Sequence, residues 1–326
     1  MKAIRVHRPG GPEVLEIEEI ARPESRAGWV RIRVRAFGLN RSEMFTRQGH
    51  SPSVRFPRVL GIECVGVVDD AGDGDLEVGQ TVAALMGEMG RAYDGGYAEY
   101  TLVPRERVLP IRTSLPWDVL AALPETWLTA WGSLVEAMDV QAGQTLLIRG
   151  GTSSVGMAAA SLAKNMGVRV LATTRDPAKA GTLRQNGAAD VIIDAGHIVD
   201  EVERRVPGGV DALLELIGPV TLLDSLRAVR RRGVVCHTGL LGNAWIMERF
   251  EPLEDIPSTV RLTTYHSSTT SAEHSTAALQ EVVDGVAEGR YRANIERRFR
   301  FDEIVAAHRF MEENRGSGKL VVVVDA

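Results

Sequence analysis

The chain has 326 residues, 44% of them hydrophobic and 25% charged, which is enough for two globular domains with sizeable cores. Its net charge of -5 leaves no face-wide basic excess for nucleic acid or an anionic membrane surface, and short arginine clusters such as Arg230-Arg231-Arg232 read as solvated surface. No stretch reaches the roughly 18 apolar residues of a membrane span, the N-terminal MKAIRVHRPGGPEVLEI lacks a signal-peptide core, and two cysteines, Cys64 and Cys236, exclude a disulfide framework or a four-cysteine zinc site; a reducing cytoplasm fits.

From Met1 to about Leu120 short alternating or β-branched runs are separated by glycine and proline turns. Strands are expected over Lys2 to His7, Val14 to Ile20, Trp29 to Phe37, Glu63 to Asp69, Thr81 to Ala84 and Tyr97 to Val103, with one helix at about Asn40 to Gln48. From Pro116 to about Tyr265 strands alternate with helices. Strand candidates are Thr145 to Ile148, Val168 to Thr174, Val191 to Ile193, Ala212 to Leu216, Val234 to Thr238 and Leu262 to Tyr265. Helices fall between, for instance Pro177 to Asn186 and Thr221 to Arg230. Six strands with crossovers is the complement of a doubly wound dinucleotide-binding sheet. The tail supplies a helix (Ala272 to Glu288), a strand (Arg298 to Phe301), a helix (Asp302 to Asn314) and a last strand (Leu320 to Val324) that either extends that sheet or returns to the first domain.

The segment TLLIRGGTSSVGMAAASLAKNMGVRVLATTR, Thr145 to Arg175, reads as a βαβ unit. Its turn, Gly151-Thr152-Ser153-Ser154-Val155-Gly156, keeps the first and last glycines of G-x-G-x-x-G and carries Ser153 at the middle one. A strand before it and a helix after it place free N–H groups and a positive dipole end where a pyrophosphate can sit; Ser153 and Ser154 can add hydroxyl contacts. An ordinary tight strand-to-helix turn is the bland alternative.

Several separated segments together resemble the medium-chain dehydrogenase/reductase superfamily, and within it the zinc-free quinone oxidoreductase branch. They are Gly38-Leu39-Asn40-Arg41-Ser42-Glu43, Leu60-Gly61-Ile62-Glu63, Leu128-Thr129-Ala130-Trp131, the Gly150 to Gly156 turn, Asn186-Gly187-Ala188-Ala189-Asp190, Ala307-His308-Arg309 and Gly318-Lys319-Leu320-Val321, in the family's order along the chain. The resemblance implies an α/β protein with a β-rich GroES-like catalytic domain built from both chain ends, 1-120 and 266-326, and an inserted doubly wound Rossmann domain, 121-265. It places the active site in the cleft between them, and it implies a homodimer that pairs the last Rossmann strand across its axis.

In zinc-dependent relatives a Cys three residues before an acid, and a His followed by Glu, hold the metal. The matching positions here read Asn40 with Glu43 and Ile62 with Glu63, which dismantles the site, because isoleucine has no lone pair and a neutral amide is a poor zinc ligand. Met86 to Tyr97 contains no cysteine, so the structural zinc lobe is missing too. No metal is expected, and Cys64 reads as core packing. Without a Lewis acid, reduction of a quinone or another α,β-unsaturated carbonyl is favoured over alcohol oxidation, since conjugation spreads the charge that zinc would stabilise. The resemblance puts Asn40 and Thr129 nearest the nicotinamide as catalytic and cofactor-contacting groups, with Glu43 beside them; a turn amide, a helix-start hydroxyl and a surface acid are the alternatives. It also brings Leu240 and Lys319 toward the nicotinamide end or the cleft, against buried packing and a solvated turn. Ser51, next to His50, stands where some enoyl-thioester reductases carry a catalytic tyrosine, which weakens that assignment. Trp127, Trp131, Trp245, Phe45 and Tyr265 are candidates to line an apolar pocket or to be core.

An NAD-selective fold ends its second strand on an acid. Counting back from Gly187-Ala188 puts Thr174 there, followed by Arg175 and, four residues on, Lys179, a hydroxyl and two cations suited to a 2′-phosphate. Asp176 becomes the ribose acid if the strand runs two residues further. The expectation is an NADPH-dependent, zinc-independent reductase of a small-molecule quinone or enone. An enoyl-thioester reductase and a non-catalytic NADPH-binding protein are the alternatives.

Overall fold

The computed structural model describes residues 1–313 and 316–324, and the predicted helix end at Asn314 lies outside them. Sixteen strands are found among the described residues: β1 (Lys2–Val6), β2 (Glu16–Glu19), β3 (Trp29–Gly38), β4 (Arg58–Val59), β5 (Glu63–Asp70), β6 (Thr81–Leu85), β7 (Tyr100–Pro104), β8 (Val108–Pro110), β9 (Thr145–Arg149), β10 (Arg169–Thr174), β11 (Asp190–Ile193), β12 (Val210–Glu215), β13 (Val229–His237), β14 (Arg261–Thr264), β15 (Ile295–Arg300) and β16 (Lys319–Val323). The chain divides into two compact units, one of Met1–Leu128 with Thr270–Ala326 and one of Thr129–Thr269.

The first unit is β-rich. A seven-stranded sheet runs β15-β16-β3-β5-β6-β8 with β7 also paired to β3, and a small sheet runs β2-β1-β4. Strand β3 shows why a sheet forms here: Val30, Ile32, Val34 and Ala36 are buried while Trp29, Arg31, Arg33 and Arg35 alternate on the other face. The buried set joins Phe37, Leu60, Tyr97, Phe299, Leu320 and Val322 in one core. The tail returns to this unit, because β16 pairs antiparallel with β3 through Val321–Gly38, Val322–Phe37 and Val323–Ala36.

The second unit is a six-stranded, all-parallel sheet in the order β11-β10-β9-β12-β13-β14, the strand order of a doubly wound dinucleotide fold, reversing direction between β9 and β12. Its central strands are covered on both faces. They therefore read as near-continuous apolar runs, buried from Leu146 through Arg149 and from Ala212 through Glu215, rather than as alternating ones. Two expectations are corrected, and two strands were not expected. The helix expected to reach Arg230 spans Pro219–Arg227, and Val229 already begins β13. The strand placed at Tyr97 begins at Tyr100, because the Tyr97 N–H and C=O pair with the Leu60 carbonyl and the Ile4 N–H instead. The short strands β4 and β8 carry too few residues to show a period in sequence.

Gly66, in the middle of β5, tests the packing of the first sheet. A Cβ there would lie 2.1 Å from the Arg33 carbonyl oxygen on β3, where the register shifts between Val34 and Ala36. Since backbone, not a flexible side-chain end, blocks the space, Gly66→Ala is expected to cost at least about 2 kcal/mol, read as a lowered denaturant midpoint. An unchanged midpoint would show that the paired strand gives way freely.

Candidate active site

In the second unit β9 ends at Arg149 and the chain turns through Gly150, whose φ of +90° only glycine adopts without strain. A Cβ on Gly151 would meet the Ala172 Cβ at 2.9 Å, and one on Gly156 would meet the Gly150 oxygen at 2.6 Å. The two glycines of the fingerprint are thus required by the approach of the helix Ser154–Asn165 to the strand ends. Ser153 caps this helix: its Oγ accepts from the Gly156 N–H at 3.1 Å and donates to the Gly150 carbonyl at 2.8 Å. The Ser153 hydroxyl is thus engaged within the turn itself. Thr152, Ser154 and Val155 are half-buried, and the first-turn N–H groups of Ser154 and Val155 have no carbonyl one turn back to bond. Bare backbone donors, no Cβ in the way and a dipole end fit a pyrophosphate.

Strand β10 ends at Thr174, the residue the count selected, so Asp176 is not at the strand terminus. The Asp176 carboxylate instead accepts from the Ala178 N–H at 2.9 Å and caps the short turn Pro177–Lys179. Thr174 is buried and its Oγ1 exchanges bonds with the Asp176 backbone; Arg175 is exposed and Lys179 half-buried. Leu240 is half-buried in the loop after β13, which is zipped to the loop after β12 by Leu241 N–H to Leu216 O and Gly242 N–H to Ile217 O. Thr129 is half-buried, and its carbonyl accepts from Ser133 Oγ at 2.7 Å, which in turn lies 3.0 Å from Thr238 Oγ1.

The first unit gathers Asn40, Glu43 and Lys319 with a fourth residue, Glu63. Asn40 precedes the helix Arg41–Arg47, and Glu43 at its third position accepts from the Asn40 N–H at 3.1 Å, as a capping acid does. Glu43 is 1% exposed, not a surface acid, and its other oxygen takes the Ile62 N–H at 3.1 Å. Lys319, on β16 and 2% exposed, is no solvated turn: its Nζ donates to Glu63 Oε1 at 2.7 Å and to Asn40 Oδ1 at 2.6 Å. Glu63 Oε1 also accepts from Asn40 Nδ2 at 2.9 Å, and its Oε2 accepts from the Glu125 N–H at 2.9 Å. An ammonium can only donate and a carboxylate only accept, so these two partners fix which way the Asn40 amide faces. Gly38 leaves room for the cluster, since a Cβ there would lie 2.4 Å from both Glu63 Oε1 and Lys319 Cε.

These residues do not fit a catalytic zinc. Ile62 is a 4% exposed core side chain, and the place between Asn40 and Glu63 is held by a lysine ammonium, a cation of its own. Cys64 is 1% exposed, with burial pushing its thiol well up, as expected of core packing. Of the two readings of Trp127, pocket or core, the structure shows core: it is 1% exposed with its ring 5.0 Å from that of Tyr291.

A mostly antiparallel β unit with this polar cluster, and a parallel sheet of this strand order with a glycine turn at its reversal point, define an α/β protein of the dinucleotide-binding class. Residues 26–113 match the family model for the alcohol dehydrogenase GroES-like domain, and residues 186–322 that for zinc-binding dehydrogenases. The human quinone oxidoreductase is 28% identical over 331 residues, 99% of this chain and 98% of that protein. A solved Pseudomonas syringae quinone oxidoreductase superposes with a TM-score of 0.90 at 25% identity over 99% of each chain, and a mycobacterial protein complexed with NADPH with 0.88 at 25% over 99% of each. The chain belongs to the medium-chain dehydrogenase/reductase superfamily. Within it the chain is similar to the quinone oxidoreductases, which include zinc-free members. Among the described residues no helix is long and apolar enough to cross a membrane.

Burial, and then the charge of Glu63, raises the Glu43 carboxyl from an ordinary 4.5 to about 7, against the Ile62 N–H and Lys319, which lower it. The folded chain therefore binds this proton more tightly than the unfolded one. The stabilisation is complete below about 4.5 and is lost as pH rises through about 7. Glu43→Gln, which keeps a capping acceptor, is expected to flatten stability against pH across that window by up to ~3 kcal/mol. Denaturant titrations at several pH values check it, and parallel curves for the two proteins would remove Glu43 from the pH response.

Proposed function

We propose that this chain is an NADPH-dependent, zinc-independent reductase of quinones or other α,β-unsaturated carbonyls. The observation that carries the reading is the Asn40–Glu63–Lys319 cluster in the position of a metal site: it offers an oriented amide in place of a Lewis acid. The first unit is the catalytic domain and the second the dinucleotide-binding domain. The Gly151–Gly156 turn would hold the nicotinamide cofactor, which when bound would provide hydride chemistry toward an electrophilic carbon of the acceptor. Asn40 is half-buried, and the second hydrogen of its Nδ2 is engaged only by a 3.4 Å contact with Glu43. That hydrogen is the donor for the oxygen that gains charge as the acceptor is reduced, and its aim is preset by Lys319 and Glu63. Within the second unit Thr129 is the proposed polar group and Leu240 the proposed apolar contact for the cofactor; within the first, Lys319 acts through Asn40. The edge strand β14, paired only to β13, serves a homodimer, which sedimentation would test.

Thr174 at the end of β10 in place of an acid, with exposed Arg175 next to it and Lys179 beyond, supports NADPH over NADH. Titration with both reduced cofactors is expected to favour NADPH, and Arg175→Ala to cost about 1.5 to 3 kcal/mol for NADPH and little for NADH. Equal weakening for both would overturn the phosphate assignment. Turnover of NADPH with a panel of quinones and enones tests the reaction class; tight binding with no oxidation would favour a non-catalytic nucleotide-binding role.

A further inference from the structure

We infer that Arg149, the buried last residue of β9, is a positioning residue for the phosphate turn: it neutralises the carboxylates clustered at the strand ends and so lets an anionic cofactor bind beside them. The inference rests on the reading of the Gly151–Gly156 turn as a dinucleotide site.

The Arg149 side chain is 0% exposed in an otherwise apolar strand, and each of its nitrogens is bonded. Nε and Nη2 donate to the two oxygens of Asp194 at 2.8 and 3.1 Å, and Nη2 also to the Gly196 carbonyl at 2.9 Å. Nη1 donates to Asp224 Oδ2 at 2.7 Å, to Ser225 Oγ at 3.0 Å and to the Thr221 carbonyl at 3.1 Å. Ser225 in turn donates to Glu215, which ends β12 and takes the Ile217 and Gly218 N–H groups at 2.7 and 3.1 Å. On the other side Thr173 bonds to Asp194 and accepts from the Gly150 N–H at 3.0 Å. The Asp194 N–H donates to the Thr174 carbonyl at 2.9 Å, and the Arg149 carbonyl takes the Leu216 N–H at 3.1 Å.

One guanidinium thus ties together the carboxyl ends of β9, β10, β11 and β12, at the place where the strand order reverses and doubly wound sheets bind their ligands. The side chain and the N–H of the next residue, Gly150, are joined through Asp194 and Thr173, so the hub also sets the entry to the turn. Three carboxylates surround it: Glu215 is fully buried, and the Asp194 and Asp224 side chains are 8% and 16% exposed. Burial disfavours the charge on Asp194, yet the Arg149 hydrogen bonds hold its carboxyl below the usual range, so the acid stays ionised and needs its cation. Without Arg149 these acids face the same strand ends as a pyrophosphate, and the site that now accepts an anion would repel one.

The test measures NADPH affinity by fluorescence titration, with circular dichroism to establish folding, for the wild type, Arg149→Met, Arg149→Lys and Arg149→Met/Asp194→Asn. Arg149→Met is expected to raise Kd by about 30-fold, the effect of one uncompensated charge at intermediate dielectric. Adding Asp194→Asn, which deletes one more hydrogen-bond partner but restores the charge balance, is expected to recover most of that loss. A purely structural role for Arg149 predicts further loss instead, so absence of recovery overturns the inference, as does a folded Arg149→Met that binds NADPH like the wild type. If Arg149→Met does not fold, Arg149→Lys decides: it loses the bidentate fork but keeps the charge, so the rise in Kd should stay below about 30-fold, and a rise of about 30-fold or more overturns the proposal. A wild-type protein that binds neither NADPH nor NADH would overturn the cofactor reading itself, a result distinct from any difference among the variants.

Discussion

The salt bridge between Lys319 and Glu63 joins residues 256 positions apart and is almost wholly buried. Two charges taken out of water are costly unless every remaining donor and acceptor is matched. Here Asn40 bridges both ions and the Glu125 N–H fills the far oxygen of Glu63. The pairing holds only if β16 lies beside β3 and if Gly38 has no side chain. The orientation of the Asn40 amide, at the start of the helix Arg41–Arg47, depends on this one contact. Breaking a buried pair is far more damaging than never having had it, so the cluster is a strong constraint on the residues around it.

The second unit solves a related problem with backbone. Parallel strands deliver their carboxyl ends to one side of the sheet, and six of them end together there. Small residues let the turn, the helix and the neighbouring strands approach: Gly151 and Gly156 leave no space for a Cβ, and Gly218 at φ +106° carries the chain into the helix Pro219–Arg227. The loops after β12 and β13 then lock to each other by backbone hydrogen bonds, with the His237 Nε2 to Gly239 oxygen contact at 3.0 Å at the start of the second loop. Burial lowers the His237 pKa, against the Gly239 contact, which raises it.

Much of the fold was legible in the residues because their patterns are local. Alternation along β3, apolar runs in β9 and β12, and a glycine turn between strand and helix each follow from sterics and burial within a few residues. The strand end at Thr174 was reachable by counting. The boundary between the helix Pro219–Arg227 and β13 was not, since Arg230-Arg231-Arg232 suits the exposed face of either, and pairing with β12 and β14 decided it. Trp127 could not be told apart as core or pocket until Tyr291 was seen against it.

For the site, residue identity alone fixes the chemical types on offer: an amide at Asn40, acids at Glu43 and Glu63, an aliphatic side chain at Ile62, and no acid at the end of β10. Those are properties of identity and order, independent of any neighbour. Only the tertiary structure decided what the charged groups do. Glu63 and Arg149 offered little signal beyond an acid next to an apolar run and a cation inside one. Their roles come from partners that are distant in sequence, Lys319 for the first and Asp194 and Asp224 for the second. Ser153 and Asp176 show the reverse, both turned inward to cap their own backbone. Electrostatic and hydrogen-bond roles depend on three-dimensional proximity and on exclusion of water, and neither is encoded in spacing along the chain.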